Sequence, residues 1–572
     1  MSCDAPISLE QQAGRWISQD PDPVTSAELQ ALLTQNLEGD AVARVTLEEL
    51  FADRLRFGTA GIRGPLRPGP AGMNRLVIGQ TTAGLARYLL DTVGDVTPTD
   101  ISVVIGCDAR TNSEAFARDT AEVLSGHGIK AILLPSFLPT PVLAFAVRHL
   151  GADAGVMVTA SHNPPQDNGY KVYLGNTDEG SQIVPPVDAE IEHHIIAVAE
   201  SLTWAEIPRS PEHVVSSPDT VVSSYVNQTI TSVAQSATST PHPSTATPLS
   251  VVYTPMHGIG AGTFLATVSA AGFPPLHAVS EQVEPDAAFP TVAFPNPEEK
   301  GALDLAFALA REVSADLVIA HDPDADRLAL ALPDSSAEAG YSSLTGNQVG
   351  AILGWHVAAR AKALGQHGSL ANSLVSSPVL GKIAEHFSLA HEETLTGFKY
   401  VSRVSGLLFG FEEALGYLVN PAVVRDKDGI SSGLMALDLA YSLAENGQTL
   451  ADYLHQIEGA VGGFASGQIT LRLESSGSAP SVTDILRSTP PEVFGGVAVS
   501  HVDDFEKGVG EFPKENILRY YLADGSRAIV RPSGTEPKLK IYLDTEGATS
   551  KDAKDALVAL EAAVRALLAT LS

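Results

Sequence analysis

Short apolar runs rich in β-branched residues recur along this chain, each followed by a longer stretch with helical spacing of apolar positions. Few folds accommodate that rhythm. ISVVIG at 101–106 reads as a buried strand, 114–127 as a helix, IKAILL at 129–134 as a strand, 141–150 as a helix and GVMVTA at 155–160 as a strand. Strands alternating with helices pair in parallel, because each crossover returns the chain to the same end of the sheet, and the helices then cover both faces. The pattern recurs at 250–332, with SVVYTP, helices from Gly262 and Ala302, DLVIA and RLALAL. It recurs again at 346–446, with helices from Asn347, Pro378 and Ile430 around NSLVSS and LLFGF. Towards the C-terminus LRYYLADGSRAIVRP predicts a hairpin turning at Asp524-Gly525, LKIYLD at 539–544 adds a strand, and 551–571 forms an amphipathic helix. The expected fold is three related α/β domains with mixed, mostly parallel sheets, at 1–206, 207–336 and 337–456, and an α+β domain at 457–572. A length of 572 residues, at roughly 150 per domain, agrees with four. SATSTPHPSTATP at 236–248 has hardly a residue able to pack and reads as a surface insertion.

Lys plus Arg number 36 against 67 Asp plus Glu, a net charge of −31. Such a field repels nucleic acid and anionic membrane, and no basic run reverses it. An anionic metabolite is held only where cations gather locally, so local clusters of Arg and Lys are the places to search. No run of 18 apolar residues predicts a membrane span, and MSCDAPISLEQQAG lacks the basic and apolar regions of a signal peptide. Two cysteines, Cys3 and Cys107, exclude a disulfide framework and fit a reducing compartment. The expectation is a cytoplasmic protein acting on small molecules, a monomer or a homodimer, with no nucleic-acid or membrane partner.

Three carboxylates alternate in HDPDADR at 321–327, directly after the strand DLVIA. Asp322, Asp324 and Asp326 point the same way from an extended or gently curled segment, and like charges so close call for a hard divalent cation, Mg²⁺ first. Arg327 stands where an EF-hand needs Gly, so that site is excluded, and the alternative is a solvated acidic loop. Ser161 in TASHNPPQDNGYKVY also follows a strand, with His162 beside it and Lys171 downstream. It is either a hydroxyl for phosphoryl transfer or part of a turn closed by an Asx-type bond. Cations gather near Gly-rich turns: Arg63 in FGTAGIRG, Arg110 in GCDARTNS, and Arg531, Ser533, Gly534, Thr535 and Lys538 in RPSGTEPKLK. The last set suits a phosphate dianion, while a lone Arg is more often in a surface ion pair. Glu412 and Glu413 in FEEALGY are placed to accept sugar hydroxyls or to form an acidic loop. HGIGAGTF at 257–264 departs from the dinucleotide fingerprint at Thr263, so no nucleotide follows; His257 is a site residue or a helix-start histidine, and Cys107 is structural.

Taken together, these runs resemble the α-D-phosphohexomutase superfamily. TASHNPPQDNGYKVY is similar to its phosphoserine loop, HDPDADR to its metal loop, FEEALGY to its sugar loop and RPSGTEPK to its phosphate loop, in the family's order and one to a domain. FGTAGIRG, YTPMHGIG and TGFKY, which carries Lys399, are most similar to the branch of phosphoglucomutases, phosphopentomutases and glucose-1,6-bisphosphate synthases. The resemblance implies four domains around a central cleft, with the last domain closing as a lid. It implies a Ser161 phosphorylated at rest and Mg²⁺ held by that phosphate with Asp322, Asp324 and Asp326. Lys171 would shuttle a proton, Arg63 clamp the transferring group and His162 orient it. Arg110, Lys399, Glu412, Glu413, Arg531, Ser533, Gly534, Thr535 and Lys538 would bind substrate, and glucose 1,6-bisphosphate would activate. The implied reaction interconverts a sugar 1-phosphate and 6-phosphate through a bisphosphate, with glucose first and mannose second. The alternatives are a pentose 1- and 5-phosphate or bisphosphate synthesis. Ala414 stands where many hexomutases have Ser, which removes one contact to the sugar. A rival from another class is a Mg²⁺-dependent sugar phosphatase with Asp322 as nucleophile; a sugar-phosphate binder without catalysis is disfavoured by the complete set of donors and ligands.

Overall fold

The structure, a computed structural model, describes residues 7–58, 61–93, 97–233, 249–472, 481–532 and 538–571. Ser533, Gly534 and Thr535 and the run 236–248 lie outside the described residues. The chain forms two compact units, the first drawn from 1–235, 239–343 and 420–434, the second from 344–419 and 435–572. The excursion of 420–434 into the first unit was not anticipated from the sequence, and it bears on the site.

The first unit holds two sheets. One runs in the order Gly61–Pro65, Asp167–Leu174, Ala154–Val158, Ser102–Cys107, Lys130–Leu133, Val214–Ser216, with Ser181–Gln182 added to the side of Asp167–Leu174. The inner strands pair in parallel, as the β-α-β-α-β reading requires. Val103, Val104 and Ile105 are fully buried because the helices Ser113–Gly126 and Thr140–His149 join these parallel strands. Asp167–Leu174 was not foreseen: it runs antiparallel to both neighbours and sets Lys171 opposite Met157 on one side and Gly61 on the other. Three further unforeseen helices precede the sheet, Leu9–Ile17, Pro23–Leu37 and Ala41–Phe51. Ser8, Asp22 and Asp40 cap them by accepting from backbone N–H groups of the first turn, and Trp16, Leu29 and Leu47 pack into the core behind. The second sheet, Tyr341–Ser343, Leu328–Pro333, Leu317–His321, Val251–Thr254, His277–Ala278, has parallel pairs at its centre and an antiparallel edge.

The second unit also holds two sheets. Ala390–Thr394, Ser369–Ser373 and Leu407–Glu412 are parallel and Gly416–Leu418 is antiparallel. The other is antiparallel throughout, in the order Gly463–Arg472, Lys538–Gly547, Arg527–Pro532, Leu518–Leu522, Val497–Asp504, Val493–Phe494. The hairpin expected at Asp524-Gly525 joins two of its strands, and the helix Ser550–Leu571 covers it. Three mixed α/β sheets and one α+β domain are therefore what the pattern of strands and helices implied. Among the described residues no helix is long and apolar enough to cross a membrane.

Candidate active site

Ser161 sits where the strand Ala154–Val158 runs out into a tight loop, 2% exposed and in the left-handed region at φ 53°. A side chain held there costs roughly 1–2 kcal/mol, so the surroundings must impose it. They do so from two sides. The Ser161 N–H donates to Thr159 Oγ1 at 2.9 Å. Beneath the loop, Arg110 donates from Nη2 to the carbonyls of Ser161 and Asn163, both at 2.6 Å, and from Nη1 to those of Pro164 at 2.8 Å and Asp167 at 3.2 Å. Asp108 Oδ2 lies 3.3 Å from Arg110 Nε. Arg110, expected to bind substrate, has its planar fork on backbone carbonyls and supports the serine loop from within.

The strand Leu317–His321 delivers the aspartates. Asp322, Asp324 and Asp326 are fully buried, and one oxygen from each lies within 4.8 Å of the others. Ser161 Oγ donates to Asp322 Oδ2 at 2.9 Å and lies 3.2 Å from His162 Nδ1. Lys171 Nζ donates to Asp324 Oδ2 at 2.8 Å and Asp326 Oδ2 at 3.0 Å, and Thr140 Oγ1 donates to Asp324 Oδ2 at 2.6 Å. Lys427 Nζ stands 3.1 Å from Asp326 Oδ2, and Arg327 N–H donates to Asp322 Oδ1 at 3.0 Å. Arg63 is exposed and donates from Nη1 to Asn163 Oδ1 at 3.1 Å, at the rim of the serine loop. The structure therefore brings together Ser161, His162, Lys171 and the three aspartates, with Arg63 alongside.

Thr140, Arg327 and Lys427 complete this set and were not singled out from the sequence. Thr140 opens a helix and looks like an ordinary first-turn residue; Arg327 in sequence speaks only against an EF-hand. Lys427 lies in a charged run, RDKDG, whose only sequence signal is its position ahead of a helix.

The aspartates test whether a divalent cation fits. Asp324 Oδ1 and Asp326 Oδ1 are buried with no hydrogen-bond partner among the described residues, while the Oδ2 of each is engaged by lysine. Two bare oxygens beside a serine hydroxyl and a third carboxylate make a hard-oxygen donor set with room for a phosphate oxygen, which fits Mg²⁺. The electrostatics agree. Burial, with Asp324 and Asp326 adding to it, lifts the Asp322 carboxyl well above its usual range. Burial also opposes the charge on Asp326, but Lys171, Lys427 and Arg327 together hold its carboxyl below the usual range. Burial works against the Lys171 ammonium, and Asp324 and Asp326 more than offset it, so its pKa is raised. Burial, helped by Arg327 and Arg63, keeps the His162 imidazole neutral far below its usual pKa.

The turn at 257–260 explains its glycines by close approach. A Cβ on Gly258 would fall 2.4 Å from Pro323 Cα, and the Ile259 N–H donates to the Pro323 carbonyl at 2.8 Å, so this turn braces the aspartate loop. His257, with Nε2 at 2.8 Å from Thr291 Oγ1, belongs to that brace. Cys107 is buried, which pushes its thiol up to about 12, as suits a structural residue.

The second unit gathers the remaining described candidates. Glu412 Oε1 accepts from the Gly397 N–H at 2.7 Å, and Glu413 Oε2 accepts from Ser376 Oγ at 2.8 Å. Lys399 is buried with its Nζ 4.8 Å from the Tyr400 ring centroid. Arg531 and Lys538 lie in adjacent strands that flank the undescribed 533–537. Burial first, then the Glu413 charge, raises the Tyr542 phenol against the opposing effect of Arg531, which marks Glu413, Tyr542 and Arg531 as neighbours.

Known proteins resemble this chain along most of its course. Residues 54–201, 223–335 and 345–459 match phosphoglucomutase/phosphomannomutase alpha/beta/alpha domains I, II and III, and residues 495–564 match the C-terminal domain of the same family. The chain is 49% identical over 497 residues to a probable phosphomannomutase of Haemophilus influenzae, an alignment covering 87% of this chain and 98% of that one. It is 34% identical over 574 residues to a phosphopentomutase of Mus musculus, covering 94% and 90%. A putative phosphomannomutase from Thermus thermophilus has the same fold, with a TM-score of 0.66 at 23% identity over 90% of this chain and 99% of that chain.

Proposed function

Because the chain belongs to the phosphoglucomutase/phosphomannomutase family and is a phosphosugar mutase, an intramolecular phosphotransferase, we propose that Ser161 carries the phosphoryl group and exchanges it between the 1- and 6-positions of a hexose, glucose foremost and mannose also. The observation that carries this reading is Ser161 Oγ at 2.9 Å from Asp322, with the Lys171 ammonium on Asp324 and Asp326.

Asp322, Asp324 and Asp326 would hold Mg²⁺, which when bound supplies Lewis-acid stabilisation of the charge on the transferring group. In the first half-reaction the bond from Ser161 Oγ to phosphorus breaks and a bond from the sugar hydroxyl oxygen to phosphorus forms. The hydroxyl proton must leave and Oγ must regain one. Lys171, charged in the structure, suits the delivery to Oγ and takes the hydroxyl proton in return. Neutral His162, 3.2 Å from Oγ, orients the hydroxyl, and Arg63 meets the phosphoryl oxygens from the rim. Glu412, Glu413 and Lys399 are assigned to the sugar ring, and Arg531, Ser533, Gly534, Thr535 and Lys538 to the phosphate that is not reacting. The bisphosphate then presents its other phosphate to Ser161, and glucose 1,6-bisphosphate primes an unphosphorylated enzyme.

A pentose substrate is the second reading. Ala414 lacks the hydroxyl that would contact a larger ring, and the mouse relative is named a phosphopentomutase. The test is the initial rate on glucose, mannose and ribose 1-phosphates with Mg²⁺ and a trace of glucose 1,6-bisphosphate, for wild type and Ser161→Ala. Conversion to the 6- or 5-phosphate that Ser161→Ala abolishes supports the mutase and names its sugar. Release of inorganic phosphate that survives the substitution overturns it in favour of the phosphatase.

A further inference from the structure

Residues 426–429 are supplied by a part of the sequence between the strand Gly416–Leu418 and the body of the helix Gly429–Ala444, yet they belong to the first unit. Each of the four makes its own contact within the first unit, and two of them reach the aspartate loop or the residue that leads into it. Asp426 Oδ2 accepts from the Tyr173 hydroxyl at 2.9 Å and Gln182 Nε2 at 2.8 Å, and Tyr173 stands two residues beyond Lys171 on the strand Asp167–Leu174. Lys427 reaches Asp326, and both oxygens of Asp428 accept from the Tyr225 hydroxyl, at 2.9 and 3.0 Å. The Gly429 carbonyl accepts from His321 Nε2 at 3.0 Å, on the residue that leads into Asp322. A Cβ on Gly429 would fall 2.5 Å from the Arg327 carbonyl oxygen, so the segment lies directly against the backbone of the aspartate loop.

Two lysines from distant parts of the chain thereby converge on one oxygen, Asp326 Oδ2, at 3.0 and 3.1 Å. The carboxylate cannot turn without breaking both ion pairs. Its other oxygen, Oδ1, is the bare one, as is Oδ1 of Asp324. The charges interleave: the three buried aspartates face Lys171, Lys427 and Arg327, while Asp426 lies 3.8 Å from Lys427 and Glu298 3.9 Å from Arg327.

We propose that Lys427 is a positioning residue for the transfer: by sharing Asp326 with Lys171 it fixes the orientation of that carboxylate and, as a neighbouring positive charge, sets how tightly the three aspartates hold a divalent cation. This rests on the reading of Ser161 and the aspartates as the transfer site. Without Lys427 the aspartates carry one more uncompensated charge. They attract a cation more strongly but present Asp326 less well, so binding and turnover move in opposite directions. Loss of packing alone would weaken both.

The experiment uses the full-length protein. Magnesium chloride is titrated by calorimetry into sugar-free wild type, Lys427→Met and Lys427→Arg, and kcat and KM are measured on whichever sugar 1-phosphate the wild type turns over. Lys427→Met is expected to bind Mg²⁺ about tenfold more tightly, because the positive charge 3.1 Å from Asp326 Oδ2 is gone. Its kcat is expected to fall at least about tenfold with KM changed less than about threefold. Lys427→Arg, which keeps the charge, should bind Mg²⁺ within about twofold of wild type. Unchanged Mg²⁺ affinity in Lys427→Met overturns the proposal, as does an affinity that falls together with kcat. If Lys427→Met does not fold, Lys427→Gln replaces it with the same two readings. Turnover that survives Ser161→Ala sinks the functional reading instead, whereas calorimetry on sugar-free protein still decides the charge effect of Lys427.

Discussion

Ser161 pays for its place in the loop with a left-handed backbone, and that has a measurable consequence. Ser161→Ala keeps the strain and loses the hydroxyl, while Ser161→Gly loses both. Both variants should be inactive, but the glycine variant should be the more stable by about 1 kcal/mol in a denaturant titration. Arg110 makes the opposite kind of prediction. Replacing it with Met leaves four loop carbonyls and the buried Asp108 without their partner, so stability should fall by about 3 kcal/mol and turnover with it. Lysine should not rescue, since one ammonium cannot reproduce the fork. At this scale the sequence was legible where residue type alone restricts the chemistry, as with three alternating aspartates after a strand. It was less informative where the same residue type serves two ends: Arg110 and Arg63 look alike beside Gly-rich turns, and only the fold sets one on the carbonyls of the serine loop and the other on Asn163 at its rim.

Among the elements, the parallel strands could be read directly, because burial on both faces leaves a continuous apolar run such as ISVVIG. Asp167–Leu174 was missed because NGYKVYL mixes a buried lysine and asparagine into a strand, a pattern that only the aspartates opposite Lys171 make tolerable. The segment before the helix Gly429–Ala444 was missed because charged runs usually face water. Its burial gives a pH signature. Burial lifts the Asp428 carboxyl to about 6 despite its hydrogen bonds from Ser431 and Tyr225. The folded protein therefore keeps a proton that the unfolded chain releases from about pH 4 upwards. The stabilisation is complete below that value and is lost as pH rises through about 6, an amount on the order of 3 kcal/mol. Asp428→Asn should flatten the stability profile between roughly pH 4 and 6 and be the more stable protein at pH 8, as read by thermal unfolding across that range.

For the molecule as a whole, a net charge of −31 makes any anion site depend on cations gathered locally, and in the first unit Lys171, Lys427, Arg327 and Arg63 stand around the aspartates and Ser161. What composition could not reveal is that the chain has two compact units, and that among the described residues the aspartate cluster able to hold a cation lies in the first. Ligand binding stabilises only the folded element that holds the ligand. Calorimetric unfolding should therefore resolve more than one transition, with added Mg²⁺ raising only the one that Asp326→Asn makes insensitive to it. A single transition moved as a block by Mg²⁺ would contradict this.

The return of 420–434 to the first unit also limits how such proteins can be recombined. Exchanging the third domain between two mutases as one contiguous stretch would import a foreign lysine into the neighbourhood of Asp326, together with foreign partners for Tyr173, Tyr225 and His321. A chimera intended to alter the sugar would then disturb the chemistry. Crossover points that leave 420–434 with its own first unit, grafting only 344–419, keep the four-residue seam in its native pairing. Inheritance of parts, in this architecture, follows the folded seam and not the order of the gene.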